Sequence, residues 1–525
     1  MPTLPPRTDD HPPQLPFVKP PTETSSPADS DAGPSLFAGV ARHSMVYAFG
    51  IIVGRAVSFL MLPIYTRFLT PADYGVLALV EMTLDFISII AGAKLALGVF
   101  RYYHKAESEQ ERQEVVSTSF LLVAGMYAVV GTATFFAAPL LSTLIFGSTE
   151  NTVLFQISAM NAALGALLIV PLSLARVEDR SVFFVGMNLA KLAMQVVFVI
   201  LFLVVMDLGV LGVFLGALVA NVAVAGAASL WLLRRVKLAW TSKAARDLLR
   251  YGVPLMATKV ATFATTFSDR YFLQVVADET TVGLYNLAYQ FGFIMVMLGF
   301  SPIEQIWGPK RFQVANESNP DSVLSHGFLL INMLLISVAV GISLFVYDLL
   351  RVMATPAFYP AAMVVPVILF AYVFQSWASI VDIGILVVEK TRYVALANFI
   401  AAGVALTGYA LLIPRYLEWG AAIATLLAFM TQFGLIYLFA QRLWPVRYAW
   451  RPVVLLVAWA VTISVIGLLL PEMSVLPSIS VRFGLALCFF GGLWFLPIMS
   501  REQRVLVRGW IRRWIKGRLG ARRHG

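Results

Sequence analysis

Apolar residues recur along this chain in runs near the ~20 residues that a helix needs to cross a bilayer core, with short polar segments between them. Read as helices, the runs cover 44–62, 76–99, 115–137, 152–175, 182–206, 209–233, 251–276, 282–307, 323–346, 358–388, 391–413, 417–443, 450–470 and 479–498. This pattern predicts an all-α integral membrane protein of about 14 transmembrane helices. The second run is interrupted by charges, and the tenth is long, with a kink expected near Pro366. Both ends of the chain depart from the pattern. Ten prolines between Pro2 and Pro34, among Ser, Thr and Asp, leave 1–41 without a core to bury, so a disordered tail is expected there. After Met499, Val507, Trp510, Ile511, Trp514 and Ile515 fall on one helical face, opposite Arg501, Arg504, Arg508, Arg512 and Lys516. That is the layout of a helix lying in the headgroup layer and drawn to anionic lipids.

Composition agrees with a membrane solvent. The 525 residues are 59% apolar and 13% charged, whereas a soluble protein carries roughly a quarter charged residues. The net charge of +10 would suggest nucleic acid on a soluble domain. Here the bases gather in loops and no nucleic-acid partner is expected. With both termini cytoplasmic, the inside loops hold eighteen Lys and Arg and the outside loops only Arg67, Arg351, Arg415 and Arg482. Such a bias is what membrane insertion imposes.

The largest inside loop, 234–250, splits the run of helices. The predicted organisation is a Pro-rich cytoplasmic tail (1–41), a six-helix bundle (42–233), a basic cytoplasmic linker (234–250), a second six-helix bundle (251–443), helices 13 and 14 (444–498) and a basic amphipathic cytoplasmic tail (499–525). Tyr74-Gly75-Val76-Leu77-Ala78-Leu79 and Val282-Gly283-Leu284-Tyr285-Asn286-Leu287 form a weak repeat between the bundles. An even number of helices per bundle gives a parallel repeat about an axis along the membrane normal, leaving a central cleft.

No catalytic constellation accompanies this. The single Cys488 and the scattered His11, His43, His104, His326 and His524 offer no metal site, and no phosphate loop is present. An enzyme and a bound cofactor are therefore not expected. The Gly50/Gly54 and Gly212/Gly216 pairs read as close helix packing. Trp307, Phe374 and Trp377 fit a core or interfacial role better than sugar stacking.

The charges within spans carry the chemistry: Arg55, Asp85, Lys94, Lys191, Lys259, Asp269 and Arg270. Each costs about 2.5–3.5 kcal/mol at the bilayer centre unless it meets water, a partner or a ligand. Bases outnumber acids, so a central basic cavity that selects an anionic substrate is expected. On an unbroken helix, Lys259 and Arg270 share a face about 16 Å apart. Asp85, with Glu81 one turn away, is placed to pair Arg55. Asp269 beside Arg270 reads as a structural pair or a coupling acid. Snorkelling toward the headgroups is the alternative for Lys94, Lys191, Lys259 and Arg270.

Arg67-Phe68-Leu69-Thr70-Pro71-Ala72-Asp73-Tyr74-Gly75 after the first run resembles the polysaccharide-transport (Wzx-type) flippases of the multidrug/oligosaccharidyl-lipid/polysaccharide (MOP) exporter superfamily. Arg101-Tyr102-Tyr103, Ser268-Asp269-Arg270-Tyr271-Phe272-Leu273, Val282-Gly283-Leu284-Tyr285 and Trp307-Gly308-Pro309 are similar to that family too. The resemblance spans about 41–500. It implies a bacterial inner-membrane flippase that moves a polyprenyl-pyrophosphate-linked oligosaccharide from the cytoplasmic to the outer leaflet by alternating access. Ion or proton coupling and a polymerase partner are further implications. In that reading Arg55, Lys259, Arg270, Lys94 and Lys191 bind the substrate, and Asp85, Asp269 and Glu81 orient or couple. A lipid II flippase, a cation-exporting multidrug relative and a membrane polysaccharide polymerase are the competing readings. The short outer loops speak against the polymerase, and the surplus of bases against the cation exporter.

Overall fold

The structure is a computed structural model describing residues 46–497 apart from 47–49, 51–52, 55–56, 58, 93–95, 318, 472 and 496. Both predicted tails, 1–41 and 499–525, lie outside the described residues, as do Arg55 and Lys94. Every regular element among the described residues is helical. In chain order these are α1 (59–68), α2 (Pro71–Ile90) and α3 (Ala96–Lys105), α4 (Glu109–Phe146), α5 (Thr152–Val177), α6 (Ser181–Val205) and α7 (Gly209–Leu233). They continue with α8 (Ser242–Phe267) and α9 (Asp269–Val276), then α10 (Glu279–Val314), α11 (Pro320–Met353), α12 (Val365–Leu386), α13 (Arg392–Leu443), α14 (Trp450–Leu468) and α15 (Val475–Phe495).

Ten of these helices are long and apolar enough to cross a membrane, which makes the chain a multi-pass membrane protein. α13 is two helices joined at Leu417, whose φ of 48° breaks the helix next to Pro414. The remaining sequence-read spans fall on α1, on the charged α2–α3 pair that turns at Gly92 (φ 98°), and on the α8–α9 pair.

Local chemistry explains how the elements start and stop. Thr70 caps α2 by accepting from the Asp73 N–H at 3.1 Å while Asp73 Oδ2 accepts the Thr70 N–H at 2.9 Å. With Pro71 at the first helical position, this is a capping box on a preset backbone. α10 also starts on a side-chain N-cap, with Asp278 Oδ1 accepting the Thr281 N–H at 2.8 Å. Each cap lies five residues ahead of a glycine, Gly75 and Gly283 respectively. The turns after α5 and α12 also match. Asp179 and Glu389 both take positive φ, and the next amide in each, Arg180 and Lys390, returns to the carbonyl five residues back. These paired devices support an internal repeat.

The predicted glycine packing is found. A Cβ on Gly212 would lie 2.8 Å from the Phe202 backbone, and one on Gly216 would lie 2.6 Å from Val199, so α7 packs directly on the π-helical end of α6. Gly50 meets Val185, and Gly54 faces Leu192, so the first helix lies along α6. Trp377 is buried among Phe328, Phe374, Phe433 and Trp450, and the ring of Trp307 is packed over Gly327. Trp377 is core, and Trp307 is half-buried at its edge.

The stretch read as a linker is folded onto the first bundle. The Ala239 N–H donates to Ser117 Oγ at 2.7 Å, the Thr241 N–H donates to Thr118 Oγ1 at 3.1 Å, and Thr241 Oγ1 donates to Glu114 at 3.1 Å. The first turns of α8 continue this attachment, with Tyr102 donating to the Asp247 carbonyl and Leu248 seated on Gly98.

Candidate functional site: the cleft between α2 and α10

The contact between the two halves is asymmetric along its length. At one end α2 and α10 touch backbone to backbone. A Cβ on Gly75 would lie 2.0 Å from the Glu279 carbonyl oxygen, and one on Gly283 would lie 1.9 Å from the Pro71 carbonyl oxygen. Each glycine therefore faces the carbonyl four residues ahead of the other, a reciprocal contact that only glycine permits. Thr66 Oγ1 donates to the Met353 carbonyl at 3.1 Å, and Tyr74 packs edge-on against Phe358 at 6.1 Å, which completes the seal.

Farther along, burial falls away on both helices. Between 71 and 84 most of α2 is buried, but nothing from 85 to 90 is; between 279 and 295 most of α10 is buried, but nothing from 301 to 313 is. This gradient of burial outlines a wedge, tight at the Gly75–Gly283 end and more exposed toward the end that carries the basic segments 101–112, 176–180, 234–250 and 310–311. One wall is bridged by Phe86 on Phe263 (4.9 Å) and by the Thr83–Tyr271 hydroxyl pair (2.8 Å).

Glu81 and Asp85 lie where the wedge begins to open, one turn apart on α2 and both exposed. Neither forms an ion pair among the described residues; the predicted partner Arg55 lies outside them. Lys259 is exposed on α8 and Lys191 is half-buried on α6.

The expected ladder of Lys259 and Arg270 is not present. Ser268 keeps right-handed helical dihedrals between α8 and α9, so the two bases stay near one face, but Lys259 is exposed while Arg270 is sealed in protein. Arg270 and Asp269 have no exposed surface. Arg270 Nη1 meets Asp269 Oδ1 at 2.8 Å and donates to the Thr266 carbonyl at 2.6 Å. The guanidinium lies 3.8 Å from the Tyr289 ring centre, while Tyr285 donates to the second oxygen of Asp269 at 2.8 Å. Tyr409 closes this network from α13, donating to the Thr265 carbonyl at 2.8 Å. In this conformation Asp269 and Arg270 hold the second half together and do not touch the cleft.

Two further charged pairs were not expected from sequence. Arg311 reaches Asp382 at 2.7 Å and donates to the Ser379 carbonyl at 2.7 Å, capping the broken end of the helix in α12. Arg482 of α15, read from sequence as an outer-loop base, is buried and meets Asp348 of α11 at 3.1 Å. The signal available for both was an acid within or beside an apolar run, Asp382 and Asp348, but the partners are distant in sequence.

Comparison with known proteins fits this architecture. The polysaccharide biosynthesis protein family matches residues 40–309. No curated protein matches the chain. Among solved structures, the chain is similar to a lipid II flippase MurJ in an inward closed conformation, with a TM-score of 0.70 at 12% identity over 86% of this chain and 99% of that one. It is also similar to an inward-facing multidrug resistance MATE transporter of the MOP superfamily, with a TM-score of 0.59 at 14% identity over 74% and 93% of the two chains. The Vibrio cholerae MATE transporter VcmN in its bent form gives a TM-score of 0.54 at 14% identity over 78% and 97%. The chain is a member of the polysaccharide biosynthesis protein family, and its fold is that of the MurJ and MATE structures.

Proposed function

We propose that the protein flips a polyprenyl-pyrophosphate-linked oligosaccharide from the cytoplasmic to the outer leaflet of a bacterial inner membrane by alternating access. The observation that carries this is the wedge: a backbone-tight seal at Gly75–Gly283 and loss of burial toward the far ends of the same two helices. A seal made of two glycine faces has few side-chain contacts to break, so rocking the halves can open it while the opposite end closes. The basic loops lie around the open end, and the positive-inside bias makes that end cytoplasmic. In this reading the chain crosses the membrane fourteen times, both termini are inside, and the wedge is loaded from the leaflet where lipid-linked sugars are assembled.

The substrate's pyrophosphate is anionic, and Lys191 and Lys259, with Arg55 and Lys94 on the sequence argument, are the bases offered to it. Arg270 acts from outside the cleft as a structural cation. Glu81 and Asp85 are the acids placed to couple transport to protons or another cation, and they also orient the bases. The role is transport, with no chemical step asked of the protein. Family membership favours a polysaccharide substrate; the resemblance to a lipid II flippase makes lipid II the runner-up.

The test is to delete the gene and profile polyprenyl-pyrophosphate-linked sugars in the membranes. The expected result is accumulation of one completed oligosaccharide with loss of its surface polymer and continued growth. Accumulation of lipid II with lysis would reassign the substrate to a peptidoglycan precursor. An unchanged lipid profile would overturn the proposal.

A further inference from the structure

α6 carries a polar stripe that its lone charge does not reveal. Between Val182 and Val205 its only polar side chains are Asn188, Lys191 and Gln195. Their spacing of three and four residues puts them within about 60° on one face at 100° per residue. The surroundings of α6 fix which way that face points. Val185 and Leu192 meet Gly50 and Gly54 of the first helix on one flank. Met187 and Met194 pack with Leu168, Val224 and Ala228 of α5 and α7 on the other flank. Val182, Gly186, Ala190, Ala193 and Val197 are all exposed, and they form the lipid face. The stripe lies opposite that face, between the two packed flanks, so it points into the first half of the molecule.

Inward-pointing polar groups in this half have a structural form available, and the stripe does not adopt it. Asn161 and Asn221 show that form: the Asn221 amide donates to Asn161 Oδ1 at 2.9 Å, and the Asn161 amide donates to the Phe214 carbonyl at 2.9 Å, linking α5 to α7. Asn188 instead donates only to the carbonyl of Phe184, on its own helix, and is exposed although it faces inward. Lys191 and Gln195 are half-buried and make no hydrogen bond to any described residue. Among the described residues, Lys191 and Gln195 meet no hydrogen-bond partner and Asn188 meets only its own helix, and such groups on the inward face of a spanning helix are costly unless water or a ligand meets them.

We propose that Asn188, Lys191 and Gln195 form a saccharide-reading stripe along α6. The carboxamides of Asn188 and Gln195, about 10 Å apart along the axis, each offer a donor and an acceptor to sugar hydroxyls. Lys191 between them takes an anionic group, either the pyrophosphate or the carboxylate of an acidic sugar. The proposal rests on the lipid-linked saccharide reading above and adds which residues discriminate the cargo.

The test uses the purified full-length protein and three probes: a polyprenyl pyrophosphate without sugar, one bearing a neutral disaccharide, and one bearing a uronic-acid disaccharide. Asn188→Ala and Gln195→Ala are expected to weaken both saccharide probes by about 5- to 10-fold, the size of one hydrogen bond, and to leave the bare pyrophosphate unchanged. Lys191→Gln weakening all three probes assigns the lysine to the pyrophosphate; weakening only the uronic-acid probe assigns it to an acidic sugar. Stripe variants that bind every probe as wild type does would overturn the stripe alone. A wild-type protein that binds none of the three would instead overturn the lipid-linked saccharide reading. Orientation is tested without any ligand. With Cys488→Ser as background, Asn188→Cys and Gln195→Cys should react with a membrane-impermeant thiol reagent in permeabilised cells, and Ala190→Cys and Ala193→Cys should not. Equal reactivity on the two faces would remove the basis of the proposal.

Discussion

Arg270 illustrates how a charge within a spanning helix can be structural. Its guanidinium is sealed between Asp269, the Thr266 carbonyl and the face of Tyr289. Removing one partner of such a pair leaves the other as an uncompensated buried charge, which costs about 3–5 kcal/mol. Arg270→Met and Asp269→Asn are each expected to lower the thermal unfolding midpoint of the purified protein, and the double variant to recover part of the loss. Full stability in Arg270→Met would show that the pair contributes nothing. Sequence supplies the two residues and their adjacency, and it favours a structural pair for Asp269. It puts Arg270 on the face of Lys259, but at that level the face is covered by Tyr285 and Tyr289, residues whose meeting with Arg270 periodicity does not give. Asn188 and Gln195 escape for a different reason: uncharged amides cost less in a membrane than full charges, so attention to charge alone passes over them.

Helix positions are readable wherever apolar length decides them. The run 209–233 coincides with α7, and 182–206 with α6 to within a residue. The close packing of Gly212 and Gly216 follows from their spacing because small residues at four-residue intervals bring backbones together. What periodicity does not give is which helices meet. α15 shows this: Ser478, Arg482, Phe489 and Leu493 are its buried residues, Leu485 and Ala486 pack half-buried beside them, and Gly492 meets Trp459 of α14. Arg482 meets Asp348 and stacks near Tyr347, so one ionic contact anchors the helix to α11. Arg482→Met should loosen this anchor. Hydrogen exchange within 475–495 is expected to rise, with the segment 279–295 unchanged. Unaltered exchange in α15 would mean that apolar packing at Phe489 and Leu493 holds it alone.

At the scale of the whole molecule, the repeat glimpsed in the sequence as Tyr74-Gly75 and Val282-Gly283 is the seal itself. Both glycines sit five residues after an N-cap, and each faces the carbonyl four residues ahead of its counterpart. A side chain at either position has no room without moving backbone, since the nearest atoms are carbonyl oxygens and not flexible side-chain ends. Gly283→Val should therefore hold the halves apart at this end and bias the protein toward the state open there. The measurement is labelling of Glu81→Cys, in a Cys488→Ser background, by a membrane-impermeant thiol reagent applied to intact cells. With Gly283 in place, the seal lies between position 81 and the outside, and little reaction is expected. In the Gly283→Val variant the same cysteine should react readily from outside, and transport should fall because the substrate can no longer be enclosed from that side. Ready reaction with glycine in place would mean that the contact is no barrier. Unchanged protection in the valine variant would mean that residues around Thr66, Tyr74 and Phe358 close this end without the glycines.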